Sequence, residues 1–161
     1  MKTKINKTNA SRLLDKAGIN YDLIPYIVDE NDLSAIHVAQ QLNENIKQVF
    51  KTLILSGDKA GFFVCIIPGD ADVDLKIAAK ISGNKKVDLI PVKDLLPLTG
   101  YIRGGCSPIG MKKSFPAFID KNCLNFDYIY ISAGTKGLQI KINPKDLIIY
   151  MNLRVENLIS G

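Results

Sequence analysis

The chain has no tryptophan, a single histidine (His37) and three cysteines (Cys65, Cys106 and Cys123) in 161 residues. Each scarcity closes off a class of chemistry. A structural zinc site takes about four Cys or His ligands at close spacing. Without a CxxC pair or a second histidine the ligand inventory is poor, so neither a metal nor a cofactor is expected. The odd cysteine count fits a reducing compartment better than a disulfide framework. Aromatic residues make up 7%, little for a protein that reads splayed bases by stacking. No apolar run approaches the ~20 residues of a membrane span. Residues 1–4 lead into a polar segment without the apolar core of a signal peptide. A cytoplasmic protein with no membrane partner is therefore expected.

What is present balances like an ordinary globular protein, with 47% apolar and 23% charged residues. The length suits one domain over residues 1–161, with no internal repeat or low-complexity linker. The net charge of +5 suits a polyanionic partner, although it also serves solubility. The excess is placed unevenly: Lys76, Lys80, Lys85 and Lys86 lie close together, and Arg103, Lys112 and Lys113 bracket a glycine-rich stretch.

That stretch, Gly104-Gly105-Cys106-Ser107-Pro108-Ile109-Gly110, is the focus of the chain. Three glycines and a proline in seven residues exclude a helix or a regular central strand. Glycines let backbone N–H groups approach a ligand closely, so the loop reads as a cradle for a phosphate, a carboxylate or a reacting carbonyl. The stretch lacks the lysine and Ser/Thr spacing of a nucleotide P-loop, which argues against ATP or GTP. An ordinary tight turn between two strands remains the alternative.

In chain order, a first helix is expected over 8–17, stopped by Gly18, and a strand over 21–28, interrupted or edged by Pro25. Ser34 caps a second helix through Leu42, whose buried side is Ile36, Ala39 and Leu42, leaving His37 on a solvated face. Apolar runs at 49–55 and 62–67 flank a hairpin turn. A third helix spans 74–81 before Gly83, and a strand follows at 87–90. Pro91 opens a short helix over 92–96 that Pro97 breaks. Strands are expected at 117–120, 128–132 and 138–142, with a glycine turn at 132–137, and a terminal helix at 145–151 is capped by Asn143 and Pro144. Short strands with helices interspersed irregularly argue for the α+β class. Lys51 sits inside an apolar strand, either facing water on an edge or held in a cleft because its ammonium acts there. Cys65 and Cys123 read as buried apolar fillers.

Four blocks carry a resemblance: Phe50-Lys51-Thr52-Leu53, residues 75–80 (LKIAAK), the glycine loop with Lys112-Lys113, and Ser132-Ala133-Gly134 through Gly137-Leu138. In their order and spacing they resemble the YbaK-type aminoacyl-tRNA deacylases, freestanding relatives of the editing domain of bacterial prolyl-tRNA synthetase. The resemblance implies a curved, mostly antiparallel sheet closing toward a barrel and surrounded by helices. It also implies a metal-independent activity that removes cysteine from mischarged tRNA(Pro). The implied partners are the 3′ acceptor end of an aminoacylated tRNA and prolyl-tRNA synthetase.

Carried over position by position, Lys51 matches the family's strand lysine, expected at the negatively charged tRNA end or the ester region, with Thr52 beside it as a pocket polar group. Gly104 and Gly105 match the loop whose N–H groups stabilise an oxyanion, and Cys106, Ser107 and Pro108 continue that loop. Tyr26, Ser132 and Gly134 are implied at the pocket. Cys106 departs from the aliphatic or small polar residue of relatives and invites a nucleophile hypothesis, but only His37 could activate it, from afar. Gln139 stands where some relatives carry an acid, so no acid role transfers. In a cysteinyl ester the substrate's own sulfur can reach its carbonyl, which leaves the protein to position the ester, exclude water and stabilise the oxyanion. An alanyl ester would need a positioned water instead, and a non-catalytic module binding tRNA or a synthetase is the alternative outside enzymes.

Overall fold

The computed structural model of the chain describes residues 5–160. Residues 1–4, read above as lacking a signal peptide's core, lie outside the described residues. Helix α1 (Asn9–Lys16) opens on Thr8, whose hydroxyl accepts from the Ser11 N–H while the Ser11 side chain accepts from the Thr8 N–H, a reciprocal cap. Strand β1 (Tyr21–Pro25) ends at its proline, short of the expected residue 28, because a strand residue without an N–H cannot extend the ladder. Helix α2 (Ala35–Leu42) is capped by Ser34, as expected. Its buried residues are Val38 and Ala39, however, and Ile36 is half exposed.

Strands β2 (Phe50–Gly57) and β3 (Gly61–Pro68) form the expected hairpin. Helix α3 (Leu75–Ser82) follows, with Asp74 as N-cap and Gly83 as left-handed C-cap, and then β4 (Val87–Leu89). The next stretch corrects an expectation: Pro97 lies inside helix α4 (Leu95–Thr99) and does not break it. At the third helical position it loses nothing, since N–H groups of the first turn have no intrahelical acceptor. After the glycine loop come β5 (Ala117–Asp120), β6 (Ile129–Ser132), β7 (Leu138–Ile142), α5 (Pro144–Met151) and a strand that patterning missed, β8 (Arg154–Glu156).

The strands form two sheets in place of one sheet closing toward a barrel. One has the order β1-β7-β6 and is antiparallel; the other runs β4-β2-β3-β5-β8, antiparallel around β2 and parallel from β3 to β8. Among the described residues the two meet through the isolated bridge Val49–Tyr130, and no closed barrel forms. The class is α+β, as expected. A large core of Ile54, Ile66, Ile119, Ile131 and Ile140 lies between the sheets. A second, with Leu55, Phe63, Ile67 and Ala78, lies under α3, and a third, with Val38, Val49 and Tyr130, under α2. Cys65 and Cys123 are fully buried fillers. Asp120 is also fully buried, and its carboxylate accepts from the Leu158 and Asn122 N–H groups, pinning the C-terminal segment.

Candidate active site

The first residues of β2 and the start of the glycine loop face each other across a cleft of about 360 Å³. Its walls are Val49 to Leu53 from β2, Leu33 to Ala35 and Val38 from the entry into α2, Arg103, Gly104 and Cys106 from the loop, and Ser132 and Gln139 from the smaller sheet. Lys51 alternates with Thr52 along β2, yet both border the cleft. Strand β4 pairs with β2 only from Leu55 to Gly57; toward Lys51 and Thr52 the neighbouring strand is β6, which meets the chain at the Val49–Tyr130 bridge. Lys51 is half-buried, borders the cleft and makes no ion pair among the described residues.

The loop is held from behind. The Tyr101 hydroxyl donates to the Ile109 carbonyl at 2.6 Å, and the Gly105 N–H donates to the Ile102 carbonyl at 3.0 Å. Gly105 is therefore spent on folding the loop and lies outside the cleft lining, contrary to its expected role as an oxyanion donor. The N–H groups of Gly104 and Cys106 make no hydrogen bond among the described residues. Gly104 has a φ of +86°, and a Cβ there would lie 3.4 Å from Leu33. The segment between β1 and α2 thus packs directly onto the loop. Beyond the Tyr26 N–H bond to the Gly137 carbonyl, two side chains hold that segment: Lys136 Nζ lies 2.8 Å from Glu30 Oε2, and His37 Nε2 lies 3.0 Å from the Ile27 carbonyl oxygen. His37 is half-buried and spans this turn, where the sequence suggested a solvated surface position.

Other expected pocket residues are placed elsewhere. Ser107 is fully buried and its Oγ accepts from the Ile109 N–H at 3.2 Å, shaping the turn. Pro108 lines a different groove. Tyr26 packs against the cluster under α2, and its N–H donates to the Gly137 carbonyl. Gly134 makes room for Tyr101, since a Cβ there would lie 2.9 Å from the ring. Lys51, Thr52, Gly104, Cys106 and Ser132 do come together.

Burial pushes the Cys106 thiol up to about 11, partly opposed by a hydrogen bond with Thr99. A thiol so raised is almost wholly protonated at neutral pH and is a poor nucleophile. The residue to which the sequence assigns no role is Gln139. It pairs directly across the sheet with Ser132, so both project to the same face. It is 5% exposed, borders the cleft, and its Oε1 has no hydrogen-bond partner among the described residues. A buried amide carbonyl left unpaired is costly, and such groups point to an absent partner. The signal was a glutamine on the outward phase of the alternating strand LQIKI. Among the described residues, no group of three or more His, Cys, Asp or Glu side chains is placed to hold a metal ion.

Residues 29–149, which contain the whole cleft, match the model of the aminoacyl-tRNA editing domain. The chain belongs to this family. A relative from Enterococcus faecalis, named as a Cys-tRNA(Pro)/Cys-tRNA(Cys) deacylase, is 44% identical over 91% of this chain and 89% of its own. Two solved structures share the fold of this editing domain. One, described as a trans-editing enzyme for prolyl-tRNA synthetase, superposes with a TM-score of 0.83 at 22% identity, over 97% of this chain and 100% of that one. The other, described as a hypothetical protein, gives 0.85 at 21% identity over 93% and 98%.

Proposed function

We propose that this protein is a trans-editing aminoacyl-tRNA deacylase that removes cysteine mischarged onto tRNA(Pro), with the Lys51 cleft as the place of ester cleavage. One observation carries the reading: a lysine with no ion pair and a buried amide carbonyl with no partner border one cleft in a chain 44% identical to a relative named as a Cys-tRNA deacylase. The ester carbonyl lies against the loop, where the N–H groups of Gly104 and Cys106 receive the developing oxyanion. The Gln139 carbonyl accepts from the aminoacyl group's α-ammonium, a charge-assisted bond. Lys51 offsets the negative charge of the terminal phosphate and of the oxyanion in a partly desolvated site. Thr52 and Ser132 supply further polar contacts.

The substrate provides the nucleophile. Its thiol gives up a proton and the sulfur attacks its own ester carbonyl, forming a C–S bond. The C–O bond to the tRNA then breaks, and the released 3′-oxygen takes up a proton. The product is a four-membered thiolactone, which water opens to free cysteine. The protein contributes orientation, water exclusion and oxyanion stabilisation, and its own Cys106 stays protonated. A deacylase acting in trans meets tRNA after charging, so a complex with prolyl-tRNA synthetase and a cytoplasmic location accompany this reading. The test is deacylation of Cys-, Ala- and Pro-tRNA(Pro) by the protein and by Lys51→Ala. Loss of the cysteinyl ester alone, dependent on Lys51, is expected. Cleavage of the alanyl ester at an equal rate would rule out the thiol route.

A further inference from the structure

We propose that the tRNA acceptor arm runs along the β4–α4 edge of the larger sheet, with its single-stranded 3′ end on an aliphatic ridge and its first stem phosphates on a lysine cluster at the β2–β3 turn. The proposal rests on the editing reading above and concerns where the body of the substrate lies. Strand β2 leads from the cleft at Lys51 to the hairpin at Gly57, six residues on, or about 20 Å at strand rise. The four unpaired 3′ nucleotides of a tRNA span about 14 Å when stacked at 3.4 Å each, and more when splayed. Duplex phosphates therefore begin where β2 ends.

At that end the backbone gathers charge. The Asn84 side chain accepts from the Lys59 N–H, the Asp58 carboxylate accepts from the N–H groups of Lys85 and Lys86, and the Asn84 N–H donates to the Ala79 carbonyl in the last turn of α3. Lys59, Lys85 and Lys86 thus lie beside Lys80 and, one turn earlier, Lys76. All five are exposed, and none belongs to an ion pair among the described residues. The local acids are Asp58, turned onto backbone amides, and Asp88 on β4.

Between the cluster and the cleft the chain exposes Leu89, Val92, Leu96 and Ile102, each half exposed or more, with Lys93 and Arg103 exposed beside them. Exposed apolar side chains flanked by unpaired cations on both sides suit an unstacked nucleic-acid end whose bases meet aliphatic surface while its phosphates meet lysine. Without aromatic platforms this track reads little sequence. It would therefore accept acceptor arms by shape and charge.

The test compares two esters, full-length Cys-tRNA(Pro) and 3′-O-cysteinyl-adenosine, across a salt series. For Lys85→Gln/Lys86→Gln the expected result is a KM for the tRNA raised about tenfold at low salt, with the log–log salt slope reduced by about 1 to 2. Kinetics on the adenosine ester should match the unaltered protein. Lys145→Gln, on α5 beyond the end of β7 away from Gln139, removes the same kind of charge and should change neither substrate. An unchanged tRNA KM and slope in the double variant would overturn the proposal, as would equal losses on both esters. Cleavage of neither ester by the unaltered protein would overturn the editing reading, and this proposal with it.

Discussion

The glycine loop walls two depressions of similar size. On the Gly104–Cys106 side is the cleft of about 360 Å³, and on the Pro108–Met111 side a groove of about 330 Å³ floored by Met111, Phe115, Tyr150 and Met151. Volume does not separate them. Buried side-chain hydrogen bonding does: beside the groove the Ser107 hydroxyl and the Tyr101 hydroxyl are taken up by the Ile109 N–H and carbonyl, and no buried side-chain polar atom lining it lacks a partner among the described residues. Beside the cleft, Gln139 Oε1 is buried and finds no partner among the described residues. A folded chain leaves few such groups buried, so this one marks where a ligand completes the structure.

The sharpest way to break this contrast is to remove the cleft's cation. Lys51→Ala should lower kcat/KM for Cys-tRNA(Pro) by about 10²–10³-fold, as losing one oxyanion-stabilising group does elsewhere, with an unchanged melting temperature. Met151→Ala, in the groove, should leave the rate unaltered. Equal losses in the two variants would erase the distinction. Gly104→Ala comes next: its φ of +86° strains any residue with a Cβ, at about 1–2 kcal/mol. The new methyl also presses on Leu33. A rate loss of about tenfold is expected, with lowered stability by denaturant titration.

Gln139→Leu sharpens the comparison because its two effects have opposite signs. Removing an unpaired buried carbonyl should stabilise the fold by about 1 kcal/mol, while kcat/KM falls about tenfold from loss of one bond to a charged group. Parallel losses in both measurements would show that Gln139 is structural. Cys106→Ser should have the smallest effect, about twofold or less, with the pH–rate profile at neutral pH unchanged, because a thiol at about 11 contributes almost no thiolate there. The same raised value carries a stability signature. Burial lifts the thiol above its ordinary 9.0, so stability is full below about pH 9 and falls as pH rises toward 11. Denaturation of Cys106→Ser should show a shallower decline.

Much of the fold was legible locally. The caps Ser34 and Asn143 and the stops at Gly83 and the β2–β3 turn appear where side-chain chemistry places them, and the helices expected from Thr8 and Asp74 begin one residue later, with those two as caps. Local rules give way where tertiary context intervenes. Pro97 has the residue type of a breaker, yet a first-turn position tolerates it. Ile36 fits a helical stripe, yet the partner cluster lies under Val38 and Ala39. Strand β8 is three residues long, and its pairing with β5 spans more than thirty residues of chain, so nothing local announced it. At the site, Ser107 and Gly105 look as available as Cys106 and Gly104, and only hydrogen-bond partners distinguish them.

By itself, the sequence determined that a glycine loop and a strand lysine exist, that metal ligands are scarce and that positive charge is clustered, because these are properties of residue type and spacing. The tertiary structure decided which N–H groups remain free, that Gln139 stands opposite Ser132 with an unpaired carbonyl, and that the cleft and the lysine cluster lie at opposite ends of one strand. Availability is a matter of which partners arrive in space. A hydrogen bond made by Gly105 to Ile102 and left unmade by Gly104 depends on how the chain closes on itself, which residue type alone does not encode.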